Sequence, residues 1–355
     1  MMKRFALLLA GFALVLTMAT EAVADGSEPV IPPRARLRAS GASTIAPFAA
    51  LVAQRFPERT DLPRPIWEIT GTNGGIQLFC AGVGLLHPDI SLATRLLRAD
   101  EKKRCGANGV TEIASIKIGF DALAIVARRD MPKFGLSRRE LWLAIAATVP
   151  VGGRLAANPY RRWNEISPRL PDLPITVIGP HDTSGRLDTV QSLVMEPPCR
   201  AAPEITAIAD AGQRREACTT LRTDGVYVAT PLHRGVATRS TEKLLSLEAP
   251  ALSFTGLEEL DDSPDRLAPL AVDGVMPEAA EIAKGTYPIS RLLYLHVKVQ
   301  NMPLVKGVRA FTEEFLSPEA SGPEGYLTSA GLVPLAPADR AAALQTLAAE
   351  GRTKP

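Results

Sequence analysis

The sequence predicts a two-lobe α/β protein with a ligand cleft between its lobes, on three observations. Strand-like and helix-like stretches alternate along the chain, the pattern of an α/β architecture. The chain has 355 residues, and the 331 that remain after an expected cleavage behind Ala24 exceed what one core ordinarily accommodates. Two long, apolar, β-rich segments, "EIASIKIGFDALAIVARRD" (112–130) and "YPISRLLYLHVKV" (287–299), read as crossings from one lobe to the other. The first lobe would then hold residues 25–118 with 288–335, the second 119–287, and 336–355 a tail. A cleft joined by two crossings can close around a ligand.

The elements follow in order. Lys3 and Arg4 precede the apolar "FALLLAGFALVLTMAT", and Ala22-Val23-Ala24 matches the small-x-small cleavage rule of a secretory signal peptide, at residues 1–24. Export to the periplasm is expected. A retained anchor is the alternative, disfavoured by the short apolar core. "RARLRAS" (34–40), "PIWEIT" (65–70) and "PDISLAT" (88–94) read as strands. "APFAALVAQRF" (46–56) and "GGIQLFCAG" (74–82) read as the helices between them. Ser137 caps a helix over 137–147. Proline and glycine then crowd 149–180, except for the strand "PITVI". A helix over 303–317, a turn and return over 325–337 and a fraying surface helix complete the chain.

Composition narrows the function classes. The formal net charge is +2, and the leader's Lys3, Arg4 and Glu21 carry +1 of it, so the mature chain stands near +1. That excludes the global basic charge of a nucleic-acid binder. Attraction for an anion must be local. All four cysteines lie in the mature part, and an even count in an exported chain suggests disulfides. Of three possible pairings, the sequence-local one (Cys80–Cys105, Cys199–Cys218) closes loops of about 20–25 residues, each worth roughly 3 kcal/mol in the chain-entropy model. No C-x-x-C motif exists and His87, His181, His233 and His296 are scattered, so neither a metal nor a cofactor is expected. His181, Asp182 and Ser184 crowd one loop, where an acid–base–nucleophile line cannot form, and no G-x-S-x-G elbow exists. The chain is not expected to be an enzyme.

The remaining signal is a repeated strand–loop–helix pattern rich in Ser, Thr and Gly. "SGASTIAPF" (40–48), "TGTNGG" (70–75) and "DTSGRL" (182–187) each precede a helix. A helix start offers unpaired amides and about half a positive charge, and the hydroxyls add donors. Three such starts suit holding a small anion.

These residues carry a resemblance. "GASTIAPFAALVAQRF", "GTNGGIQLFCAGVGLLHPDISLATRLL", "NPYRRWNEI", "GPHDTSGRLD", "GTYPISRLLYLHVK" and "GPEGYLTSAGLVPL" resemble successive motifs of the phosphate-binding proteins of bacterial ABC phosphate importers (the PstS-like periplasmic family). The resemblance covers nearly the whole mature sequence. It implies a type II periplasmic binding protein fold, inorganic phosphate or a related oxyanion as ligand, ABC transporter permease subunits as partners, and a monomeric state. Carried over by position, Ser43, Thr44 and the Ile45 amide come from the first loop and Thr72 from the second. Thr94 and Arg95 come from the third, and Ser184 and Gly185 from the far lobe. Where the family has T-S-G-T-R-D, this chain has Thr183-Ser184-Gly185-Arg186-Leu187-Asp188, so its arginine sits one step earlier, at Arg186. "DGVYVATPLHRG" and "PALSFTGL" also depart from the family's pattern, all on the second lobe. Asp188 and Asp224 are candidate acceptors for the proton that phosphate carries and sulfate lacks. The alternative to transport is a diverged oxyanion-sensing or interaction protein of the same fold.

Overall fold

A computed structural model of the chain describes residue 34 and residues 36–182, 184–233 and 236–350. The expected leader and its cleavage site lie outside the described residues. Among the described residues no helix is long and apolar enough to cross a membrane.

The first third alternates regularly: β1 (Arg38–Gly41), α1 (Ala46–Thr60), β2 (Ile66–Ile69), α2 (Gly71–Phe79), β3 (Ile90–Ala93), α3 (Ala99–Ala107) and the long β4 (Ile113–Arg128). In the middle third come α4 (Arg138–Ile145), the hairpin of β5 (Thr148–Val151) and β6 (Arg154–Ala157), α5 (Trp163–Ile166) and β7 (Val177–Gly179). Then α6 (Gly185–Thr189) runs through a π-helical stretch into α7 (Glu196–Arg200), followed by α8 (Pro203–Thr206), α9 (Ala211–Thr219) and β8 (Tyr227–Ala229). Short β9 (Leu232–His233) and β10 (Val236–Ala237) precede α10 (Ser240–Leu245), β11 (Leu252–Gly256), α11 (Leu257–Asp261) and β12 (Leu267–Leu270). The chain closes with α12 (Ala279–Ala283), β13 (Ser290–Lys298), α13 (Val308–Phe315), α14 (Pro318–Ser321) and α15 (Pro337–Glu350).

Local chemistry accounts for the helices that were legible. α1 carries Pro47 in its first turn, where no intrahelical N–H is needed, and buries Phe48, Ala49, Val52, Ala53 and Phe56 on one face. α4 has a complete capping box: Glu140 N donates to Ser137 Oγ at 3.2 Å, and Ser137 N donates back to Glu140 Oε2 at 2.8 Å. α2 begins at Gly71, three residues earlier than expected, because the positive φ of 69° available to that glycine lets the helix start directly behind Thr70.

One nine-stranded sheet runs through the fold, in the order β2-β1-β3-β13-β4-β11-β7-β8, with β12 also on β4, while β5–β6 and β9–β10 are separate two-stranded sheets. β4 makes this possible. Its first part, to Ala122, pairs antiparallel with β13, and its second part pairs with β11 and β12. Leu123 N donates to Ile289 O at 3.1 Å, where the chain entering β13 passes beside it. These are the two crossings expected from sequence. Two large apolar cores lie along the sheet. One gathers Leu37, Phe56, Ile116, Leu295, Phe311 and Phe315, and the other Leu123, Trp142, Trp163, Val177, Val194 and Phe254. Trp142 and Trp163 are fully buried, while Trp67 packs partly buried against the first core.

Both expected disulfides are present, Cys80–Cys105 joining the end of α2 to α3, and Cys199–Cys218 joining α7 to α9. The tail corrects the expectation of a fraying surface helix. Ala343 and Leu347, one turn apart on α15, are buried in the first core, so the helix completes that core.

Candidate functional site

Two helix starts meet at the centre. On one side β1 ends at Gly41, where an added Cβ would lie 2.0 Å from Leu92 O. The chain turns through Ala42–Ile45 and enters α1. On the other side β7 ends at Gly179, and Ser184 caps α6. An added Cβ at Gly185 would sit 2.7 Å from Ser43 C and 2.7 Å from Thr44 N. Only glycine lets these backbones approach so closely. Beside the meeting point opens a cavity of about 400 Å³. Ser43 and Thr44 of the turn before α1 line it with Phe48 of α1, and the cap Ser184 lines it with Gly185 and Arg186 of α6. β4 adds Asp121, β11 adds Phe254 and Gly256, α11 adds Glu258 and Glu259, and Arg239 and Gly331 complete the rim.

The hydroxyls are oriented by what they accept. Arg291 Nη2 donates to Thr44 Oγ1 at 2.6 Å, and Arg186 N donates to Ser184 Oγ at 3.2 Å. Each hydroxyl has one hydrogen left to give. For Thr44 the acceptor in reach is Gly185 O at 3.5 Å, too long for a good O–H···O bond. Arg291 itself is 9 % exposed and also donates to Thr189 Oγ1 at 2.6 Å and Asp188 Oδ2 at 3.1 Å. Its Nε lies 3.6 Å from Asp121 Oδ2. Standing at the start of β13, it joins the α1 loop to α6.

The cations on the second-lobe wall are engaged. Arg186 Nη1 donates to Glu259 Oε1 at 2.7 Å, and its Nη2 is held by Glu258. Burial pushes the Glu259 carboxyl up, but Arg186 and hydrogen bonds from Thr241 outweigh it and hold the group below its ordinary range. Arg239 pairs with Asp262 at 2.5 Å. Around the cavity, the carboxylates of Asp121, Glu258 and Glu259 face the guanidiniums of Arg186 and Arg239, a formal sum of −1. Burial also pushes the Tyr227 phenol up, and its hydroxyl donates to Pro180 O at 3.2 Å behind the α6 loop.

Of the residues picked out from sequence, Ser43, Thr44, Ser184, Gly185 and Arg186 come together on the cavity. The others stand elsewhere. Ile45 is fully buried, and its amide donates to Ala42 O at 3.2 Å within the turn. Thr72 and Thr94 face each other, Oγ1 to Oγ1 at 3.1 Å, because α2 starts over the end of β3 instead of over the cleft. Arg95 forks onto Glu101 with both contacts at 2.7 Å and reaches Asn73 at 2.6 Å. Glu101 is buried in the first turn of α3, and that cation compensates it. Asp188 pairs with Arg291, and Asp224 pairs with Arg222 and Arg161 outside the cavity.

Asp121, Arg291, Arg239, Glu258 and Glu259 were not picked out. Two of them left a signal. Asp121 interrupts the apolar "GFDALAIVA", and Arg291 interrupts "YPISRLLYL", each at the point where a crossing enters the cleft.

Sheet, crossings and cleft form the two-lobe type II periplasmic binding protein fold. The solved structure of a possible phosphate binding protein from Planctomyces limnophilus shares this fold with a TM-score of 0.69 at 19 % identity, covering 89 % of this chain and 98 % of that one. An ABC-type phosphate transport receptor from Vibrio cholerae shares it with a TM-score of 0.53 at 18 % identity, covering 79 % and 94 %. Protein SphX of Synechococcus elongatus is 26 % identical over 289 residues, 80 % of this chain and 74 % of that protein. Residues 21–319 match the model of the PBP superfamily domain, and the chain belongs to that family.

Proposed function

We propose that this chain is a periplasmic substrate-binding protein that captures inorganic phosphate, or a closely related oxyanion, in the cleft and delivers it to the permease subunits of an ABC importer. One observation carries the reading. Thr44 and Ser184, at two helix starts that touch across the cleft, each have the acceptor side of the hydroxyl occupied and a hydrogen left to donate. An oxyanion consists of acceptors, so this wall favours it over a cation or an amide. Ser43, Thr44, Ser184, Gly185 and Arg186 form the contact set, with Arg291 orienting Thr44 from behind. The first lobe (25–118 with 288–335) and the second (119–287) would close on the ligand and signal loading to the permease. A binding role without catalysis, an expected cleavage behind Ala24 and a monomeric state belong to the same reading. It is supported by phosphate-binding proteins and a phosphate transport receptor of the same fold.

One observation favours a second reading. The Arg186 fork already holds two carboxylates, as suits a diverged member that senses or docks instead of transporting. Thermal-shift titration with phosphate, arsenate and sulfate separates the two. A receptor gains stability by mass action, about 2.7 kcal/mol at a hundred times Kd. No shift at millimolar phosphate would favour the second.

A further inference from the structure

The cavity lining sums to −1 and Arg291 behind it faces Asp121, so an incoming anion gains a guanidinium only where a carboxylate gives one up. The three lining carboxylates are not equally able to do so. Glu259 is 6 % exposed and fully engaged: Oε1 accepts from Arg186, while Oε2 accepts from Ser240 Oγ at 3.1 Å, Thr241 N at 3.2 Å and Thr241 Oγ1 at 3.0 Å. Asp121 is held by Thr189 Oγ1 at 3.1 Å and faces Arg291. Glu258 differs. Its side chain is 23 % exposed, and Arg186 is the one side chain paired with it among the described residues. Both ends of this contact lie against glycine. A Cβ at Gly256 would be 2.4 Å from Arg186 Nη2 and 2.3 Å from Glu258 Oε2, and one at Gly331 would be 2.4 Å from Glu258 Oε2. The carboxylate therefore sits in a glycine-walled slot between the end of β11 and the segment that returns to the first core.

We propose that Glu258 is an internal competitor for the ligand: its carboxylate holds one limb of the Arg186 fork and yields it to the incoming oxyanion. The inference rests on the oxyanion reading of the cleft. A carboxylate and a phosphate present the same flat or tetrahedral pair of oxygens to a guanidinium. Glu259 keeps the other limb, so Arg186 stays in place during the exchange and the ligand meets an oriented donor. Glu258 carries a single charge, so the exchange favours a tetrahedral oxyanion of charge −2 over a monoanion. Its movement also releases the slot at Gly331, coupling ligand entry to a contact between the two halves of the molecule.

The sign of the test is unusual. Truncating a contact in a binding site ordinarily weakens binding, whereas here removing the charge should strengthen it. Calorimetric titration of phosphate into the wild type and Glu258→Gln is expected to show binding about tenfold or more tighter in the variant, because one like charge leaves the cleft. Arg186→Gln should weaken binding, and adding Glu258→Gln to it should restore much less than Glu258→Gln gains alone. Glu258→Ala serves as the second variant if Gln disturbs folding, with melting in the absence of phosphate as the check.

If the wild type binds and neither Glu258 variant binds more tightly, the inference is overturned and the function stands. Binding by the variants alone supports the inference. Absence of binding in all of them at millimolar phosphate overturns both. A crystal structure of the wild type with phosphate decides the point without a variant: Glu258 away from Arg186 supports the exchange, and an unbroken pair overturns it.

Discussion

Thr44 shows how one hydroxyl acquires a direction. It is almost fully buried, yet its oxygen receives a charge-assisted bond from Arg291, and its hydrogen faces the α6 start. Thr44→Val keeps the shape and removes both roles. Phosphate binding should weaken by about tenfold to a hundredfold, the loss of one hydrogen bond to a charged group at roughly 1.5–3 kcal/mol. Calorimetry reads that change. Gly185 makes a different prediction, because the space for a side chain there is filled by the Ser43–Thr44 peptide. Gly185→Ala should hold the two helix starts apart, lowering phosphate affinity and enlarging the radius of gyration measured by X-ray scattering. Gly106→Ala, at a helical glycine with nothing within 4 Å of an added Cβ, is the matching control for the substitution without the clash.

At the scale of elements, α3 is held by its first turn. Arg98 N donates to Glu101 Oε2 at 2.8 Å, and Arg95 forks onto the same carboxylate. The Arg95 hydrogen bonds lower the Glu101 carboxyl from 4.5 to about 2 against the opposing effect of burial. The group's pKa is lower in the folded chain than in the unfolded one. Its contribution to stability is therefore complete above about pH 4.5 and is lost as pH falls through about 2. Melting followed between pH 6 and pH 2 should decline over that window, and Glu101→Gln should flatten the decline while lowering the melting point at pH 6. α4 offers a simpler case: Ser137→Ala removes the cap and should cost about 1 kcal/mol in denaturant unfolding.

For the whole molecule, the sheet is continuous but the covalent ties are local. Cys80–Cys105 and Cys199–Cys218 are 25 and 19 residues apart, so each constrains a short loop within one half. Reduction should lower stability by roughly 3 kcal/mol per bond without separating the halves. A melting scan with and without reductant measures the loss, and phosphate titration of the reduced protein should still give a shift. The halves are joined instead through the sheet, where β4 and the entry to β13 run side by side and Leu123 N donates to Ile289 O.

How much of this was legible follows from the range of each interaction. The helix starts at Ser137 and Ser184 could be read because a cap and the amide that donates to it lie within three residues, and the disulfide pairing because both loops are short. The crossings could be read because nineteen and thirteen residues of β-rich sequence have few other uses. The cavity wall proposed to hold the anion was therefore half visible, in Ser43, Thr44, Ser184 and Gly185. What could not be read was partner choice. Arg95 looked available for a ligand and is spent on Glu101, while Arg186 is held by residues 72 and 73 positions away. Thr44 takes its hydrogen bond from a residue 247 positions away.

By itself, then, the sequence determined the order of strands and helices, the two crossings and the places where helix starts present donors. Backbone preference and apolar periodicity act within a few residues, and they are written there. The tertiary structure alone decided that the starts of α1 and α6 meet while that of α2 does not, and which carboxylate each guanidinium near the cavity pairs with. The reason is that a charge leaving water must pair with whatever the packed sheet brings beside it, and sheet order joins segments that are remote along the chain.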